Sequence, residues 1–287
     1  MTKIADLLAV GSTRSFEFFP PKSEEGAAAL ATALEDLALL EPSFVSVTYG
    51  ALGTTRERTR DVVVRINRER PFPAMPHLTC VGHTRAQLVD LLAEYRAAGI
   101  ENILALAGDP PADGSPAAGD FTYATELVDL VRQAGDFSVA VAAFPEVHPR
   151  SPDRASDRQQ LAAKLEAADF GMTQFFFDAD HYVRMRDELA DLGCTKPVLA
   201  GVMPFISVAG TRKMSAMNGT RIPDALQERM DAVDGDPEGT RKLGVEVASE
   251  LSARLLEEGV PGLHLYALNR SDSIRDVYAN LGFAEPS

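Results

Sequence analysis

The sequence predicts an α/β protein folded as a (β/α)8 (TIM) barrel, with extra helices between strands seven and eight. Three observations predict it. Eight short apolar segments alternate with helix-period segments along the 287 residues. Several of those segments are continuous hydrophobic runs, as parallel strands buried on both faces require. No G-x-G-x-x-G follows any of them, which disfavours a doubly wound nucleotide-binding sheet.

The strands are expected at 15–19 (SFEFF), 44–48 (FVSVT), 74–79, 102–106, 138–143, 171–176, 197–202 and 262–266. Their starts recur about every 26–36 residues, the length of one βα unit. Between them, Leu30, Leu34 and Leu37 mark the first helix. Thr84 and Gln87 form a T-x-x-Q capping box ahead of Leu88, Leu91, Leu92 and Tyr95, and Gly99 stops that helix. Ile274, Val277, Tyr278 and Leu281 repeat the pattern in the last helix, closed by Gly282. The interval before strand eight is about twice as long as the others and has room for extra helices around 222–257. Pro223, Gly235-Asp236-Pro237 and Gly259 divide it. No repeat, low-complexity tract or linker marks a boundary, so residues 1–287 read as a single catalytic domain.

Composition excludes several function classes. Hydrophobic residues make up 45% and charged residues 24%, which are globular proportions. Lys and Arg total 28 against 42 Asp and Glu, a net charge of −14 that disfavours nucleic acid and anionic membranes as partners. No apolar run approaches the roughly 18 residues of a membrane span. The N-terminal MTKIADLLAVGS is too weakly basic and too short in apolar residues for a signal peptide. Two distant cysteines, Cys80 and Cys194, build no disulfide framework and fit a reducing cytoplasm. Cys80-Val81-Gly82-His83 has no second ligand pair after it, and no Asp/Glu/His set has metal spacing, so no metal site is expected. The sequence leaves homo-oligomerisation open.

In a barrel the chemistry sits where strands end and βα loops begin. Those positions carry Glu17, Thr48, His77, Asp109, His148, Gln174, Met203 and Tyr266–Arg270. Glu17 stands among Phe16, Phe18 and Phe19, so burial is expected to raise its pKa, and a nearby Asp109 would push the same way. Gly108-Asp109-Pro110-Pro111 is also strong turn chemistry, which leaves Asp109 between a site carboxylate and a turn residue. His77 and His148 read as hydrogen-bonding members of a site. His83, His181 and His264 are given no role. Neither a G-x-S-x-G elbow nor a cysteine–histidine motif is present, which argues against covalent acyl transfer. The residues alone stop at a barrel enzyme with a Glu/Asp pair.

The strand-end motifs resemble those of methylenetetrahydrofolate reductases. They are SFEFFPP (15–21), FVSVTYGA (44–51), PHLTC (76–80), GDPP (108–111), AAFPEVHP (142–149), TQFFFD (173–178), RIP (221–223) and LYALNR (265–270). They occur in family order and span the barrel. The resemblance implies a cytoplasmic oxidoreductase of one-carbon metabolism that reduces 5,10-methylenetetrahydrofolate to 5-methyltetrahydrofolate, the methyl donor for methionine biosynthesis. It makes Glu17 the general acid and Asp109 a catalytic carboxylate that also contacts the pterin. Gln174 would read the pterin edge, with Tyr266 and Arg270 at the folate end of the pocket. An aromatic beyond the strand-seven turn is usual in the family. Here Val208 takes that place and Phe205 sits nearer the turn, either as a stacking substitute or as core. NADH is the expected hydride donor, with NADPH a possible second, because no arginine cluster is placed to read a 2′-phosphate.

The resemblance also implies a bound FAD, contacted by Thr48, His77, Asp109, Tyr123, Ala124, Ala142, His148, Asp157 and Lys164. On that side the sequence departs from the family. Ala107 replaces the arginine before the Gly-Asp-Pro-Pro turn, and Ala163 replaces a basic residue beside Lys164. Phe144 stands for the usual tyrosine, and the stretch from Lys164 to Gln174 is about one residue short. Two lost charge-assisted hydrogen bonds are worth roughly 3–6 kcal/mol, or about 10²–10⁴ in affinity. The expectation is therefore weak or no FAD binding and direct hydride transfer from nicotinamide to folate. A conventional FAD-dependent ping-pong reductase is the alternative, and a catalytically degenerate folate-binding barrel is a second one.

Overall fold

The computed structural model describes residues 2–49, 56–108 and 119–283. Eight parallel strands close into a barrel in sequence order: β1 (Thr13–Phe18), β2 (Phe44–Val47), β3 (Ala74–Thr79), β4 (Asn102–Leu106), β5 (Ser138–Ala143), β6 (Phe170–Thr173), β7 (Val198–Val202) and β8 (Gly262–Tyr266). The expected (β/α)8 class is therefore observed, and β1 closes the ring on β8. Strand six ends at Thr173, so Gln174–Phe176 lie beyond the strand where the sequence placed them within it.

Around the barrel lie α2 (Glu24–Ala38), α3 (Arg56–Glu69), α4 (Arg85–Ala97), α5 (Ala124–Ala134), α6 (Arg154–Ala167) and α7 (Ala179–Asp191). The α4 capping box forms as the spacing predicts, with Gln87 N donating to Thr84 Oγ1 at 3.2 Å and Thr84 N to Gln87 Oε1 at 2.9 Å. Leu88, Leu91, Leu92 and Tyr95 are the buried face of that helix. The long interval before β8 holds α8 (Val208–Asn218), α9 (Asp224–Ala232) and α10 (Pro237–Glu257), and α11 (Asp272–Asn280) follows β8. Asp236 caps α10 through Glu238 N, and Pro237 opens it, where its missing N–H costs nothing.

One helix was not expected. Residues Ile4–Val10 form α1, which lies against the N-terminal end of the barrel. Its first free N–H groups are taken up by the barrel interior: Ile4 N donates to Asn102 Oδ1 at 2.7 Å and Ala5 N to Ser138 Oγ at 3.2 Å. Ile4 packs with Phe44, Met75, Leu104, Ala140, Phe170, Met172 and Leu199, the apolar filling of the barrel. That filling closes one end, and the polar inward-facing residues lie towards the other.

Strand side chains alternate in direction, so the interior set is legible from parity. Ser15 and Glu17 on β1, Ser46 on β2, His77 on β3 and His264 and Tyr266 on β8 share it. Their registers pair Glu17 with Ser46 and Tyr266, and Ser15 with His264. The outward set, including Phe16, Phe18, Val45, Val47, Leu263 and Leu265, packs under the helices.

Candidate active site

A cavity of about 270 Å³ opens at the C-terminal ends of the strands. Its walls include Glu17, Thr48, His77, Ala142, Gln174 and Tyr266. Met203, the residue after β7, joins them, so seven positions singled out from the sequence meet in one place, with Met214 and Asn218 from α8. A larger cleft, about 670 Å³, lies at the opposite end of the barrel beside Arg68, Arg96, Glu101 and Asp136. The strand ends and the convergent polar groups are at the smaller one, which is where barrel chemistry resides.

Glu17 is 5% exposed, and three groups surround its Oε2. His77 Nε2 and His264 Nε2 each stand 3.3 Å away, and Ser46 Oγ donates across 3.5 Å. The His77 contact is close but not aligned as a hydrogen bond. Behind His264, Ser15 Oγ lies 2.8 Å from Nδ1, and Ser46 Oγ lies 3.2 Å from Nε2. A chain of polar groups therefore runs Ser15–His264–Glu17–His77 through an otherwise apolar interior.

The direction of the Glu17 pKa differs from the sequence expectation. Burial does raise it, as expected, but His77 and His264 more than offset that and hold it down at about 2. The pull belongs to protonated imidazoles. Neutral rings exert no such attraction, and burial then favours the protonated acid.

Gln174 is the first residue beyond β6, its N–H donating to Ala143 O at 2.9 Å. Tyr266 donates to Thr173 O at 3.2 Å, and burial together with the nearby Glu17 charge pushes its pKa well up, so it remains a phenol. Gly201 makes room for this ring: a Cβ there would stand 3.1 Å from Tyr266 Cε2 and run into the Thr173 carbonyl.

The remaining expected positions lie elsewhere. Asp109 lies outside the described residues. Tyr123 and Ala124 are at the start of α5, Tyr123 being largely exposed. Arg270 is exposed on the rim and pairs with Asp272 at 3.2 Å. Phe205 is not a cavity wall. It is 1% exposed within a separate apolar cluster with Phe175, Val208, Ile222 and Met230, so the core alternative holds. Gly244 lets α10 approach the Phe205 backbone closely, since a Cβ there would run into the Phe205 carbonyl.

His148, Asp157 and Lys164 form a second cluster beside the cavity, and each is engaged within the protein. Asp157 Oδ1 accepts from His148 N at 3.0 Å and from Ser151 Oγ at 2.8 Å, while Oδ2 accepts from Arg158. Arg158 is itself 2% exposed and ties down the Phe144, Pro145 and Glu146 carbonyls. Lys164 Nζ donates to Ala142 O at 2.5 Å, and burial lowers its pKa to about 8. Phe144 packs edge-on against His148, with ring centroids 4.5 Å apart. Among the described residues, this cluster presents a half-buried amine and the exposed Arg150 as cations, and its carboxylate is already satisfied. With Ala107 and Ala163 in place of the basic residues that the resemblance implies, the described residues offer a diphosphate few charge-assisted contacts here.

His264 and Ser46 are the members of the site that sequence reasoning missed. The signal was available: His264 shares inward parity with Tyr266 two residues on. No cluster of His, Cys, Asp or Glu among the described residues has metal-binding geometry, and no helix among them is long and apolar enough to cross a membrane.

Comparison with known proteins agrees with this geometry. A solved structure described as an uncharacterized protein from Clostridium thermocellum that binds two copies of 5-methyl-5,6,7,8-tetrahydrofolic acid superposes with a TM-score of 0.66 over 96% of each chain. At 13% identity that likeness shows the fold alone. The 5,10-methylenetetrahydrofolate reductase of Escherichia coli K12 is 37% identical over 270 residues, covering 93% of this chain and 90% of its own. A probable methylenetetrahydrofolate reductase (NADH) of Oryza sativa is 33% identical over 99% of this chain, which spans 51% of that longer protein. The methylenetetrahydrofolate reductase family profile matches residues 3–282, and the chain belongs to that family.

Proposed function

We propose that the protein reduces 5,10-methylenetetrahydrofolate to 5-methyltetrahydrofolate with hydride taken directly from NADH, without a bound flavin relay. The observation that carries the reaction is the buried Glu17 carboxylate, facing a cavity at the strand ends with two imidazoles 3.3 Å behind it. One proton held by Glu17, His77 and His264 suffices for the acid step. Transfer of that proton to N10 of the folate breaks its bond to the bridging carbon and leaves an N5 iminium. Hydride from C4 of NADH then adds to that carbon, giving the methyl group and NAD⁺. The proton and the hydride together account for the two-electron reduction. Entry of the substrate excludes water, which strengthens each of these electrostatic contacts.

The flavin-free part rests on the neighbouring cluster, where Asp157 and Lys164 are satisfied by Arg158, His148, Ser151 and Ala142. The Ala107 and Ala163 departures support it from the sequence. NADH as donor is supported by the name of the plant relative. The FAD-dependent alternative keeps one observation in its favour: Thr48, His77 and Ala142, three of the expected flavin contacts, line the same cavity as Glu17. NADH carrying deuterium at the transferred C4 position separates the two. Direct transfer places one deuterium in the product methyl group even when the protein has been stripped of flavin. Product lacking the label under those conditions refutes direct transfer.

A further inference from the structure

The cavity contains a polar contact that the reaction above does not use. Asn218 is the last residue of α8, and its Nδ2 donates to Gln174 Oε1 at 3.3 Å. Both residues line the cavity. The position of Asn218 is fixed from several sides. Gly219 ends α8 in the left-handed region at φ 69°, and Thr220 N returns to Ser215 O at 2.9 Å. Thr220 Oγ1 donates to Phe175 O at 3.2 Å, the residue next to Gln174. Arg221 N donates to both Glu146 carboxylate oxygens at 3.0 Å. The end of α8 is thus stapled to the exit of β6.

A terminal amide offers an acceptor on one side and two donors on the other, and its two flipped orientations have nearly the same shape. A glutamine alone in a cavity therefore distinguishes donors from acceptors poorly. With Asn218 Nδ2 donating to its oxygen, Gln174 keeps its own N–H groups for a ligand in the cavity that both residues line. We propose that Asn218 is a positioning residue that sets the orientation of the Gln174 amide and thereby the part of the pterin edge that is bound, an acceptor atom and not a donor. This inference rests on the reading that Gln174 faces the pterin.

Asn218→Asp tests it, because a carboxylate accepts only and requires Gln174 to turn its N–H groups round. The KM for the folate substrate should rise about tenfold or more, the usual cost of an unsatisfied polar pair, while the KM for NADH stays put. Asn218→Leu, which removes the partner without imposing the opposite orientation, should give a smaller rise. In a Gln174→Ala background, Asn218→Asp should have no further effect on folate KM. An equal effect in both backgrounds, such as simple charge repulsion would produce, overturns the proposal. So does an equal rise in the KM for NADH. If Gln174→Ala alone leaves folate KM unchanged, the pterin-facing reading has failed and the proposal falls with it. If Gln174→Ala raises folate KM but Asn218→Asp does not, only the role of Asn218 has failed.

Discussion

Glu17→Gln is expected to lower the reductase rate by about 10²–10⁴-fold, the range typical for loss of a positioned general acid. The substitution keeps the shape and the hydrogen-bonding reach of the side chain while removing its proton. Binding of 5-methyltetrahydrofolate, measured by fluorescence or calorimetry, should change little, because the product needs no protonation. A variant that turned over as fast as the parent would remove Glu17 from the acid role and leave an imidazole as the direct donor. The same variant has a second signature. A carboxylate whose pKa falls from 4.5 to about 2 on folding contributes stability above its unfolded value, and that contribution is lost as the pH drops through the folded one. Glu17→Gln should therefore flatten the loss of thermal stability between pH 4.5 and 2, as read from melting curves across that window.

The second large effect is a gain. Ala107→Arg combined with Ala163→Arg is expected to raise FAD affinity by about 10²–10⁴-fold, from two charge-assisted hydrogen bonds of about 1.5–3 kcal/mol each. Both positions face less constraint than the barrel interior: Ala107 is half-buried just past β4 and Ala163 is exposed on α6 beside Lys164. The rise is measured by quenching of flavin fluorescence on titration. Submicromolar FAD binding by the unaltered protein, with no gain in the double variant, would show that the alanines cost nothing and restore the flavin-dependent reading.

The fold was legible because its determinants are local. Continuous apolar runs, the Thr84–Gln87 capping box and the Gly235-Asp236-Pro237 break each act over a few residues, and strands and helices appear close to where those signals lie. Helix α1 was not legible, because seven residues gain their stability from Asn102 and Ser138, about a hundred residues away in sequence. The site divides the same way. Glu17, Thr48, His77, Gln174 and Tyr266 sit at strand ends and converge as barrel geometry requires. His264 reads as a mid-strand residue, although its inward parity sets it against Glu17. Burial of Glu17 is legible among its phenylalanine neighbours, whereas the imidazoles that oppose it and reverse the direction of its pKa are not. Likewise, the pairing of Asp157 with the adjacent Arg158 appears only in the fold. Charge pairing and amide orientation depend on side-chain neighbours, and a single sequence does not specify those.

The central claim is hydride transfer from nicotinamide to folate without a flavin. It is tested most directly by charcoal-treated protein mixed with NADH and methylenetetrahydrofolate, following the loss of nicotinamide absorbance. The account predicts folate-dependent NADH oxidation at a rate that added FAD does not increase. Activity that appears only after FAD is added would contradict it and make the protein a flavoenzyme.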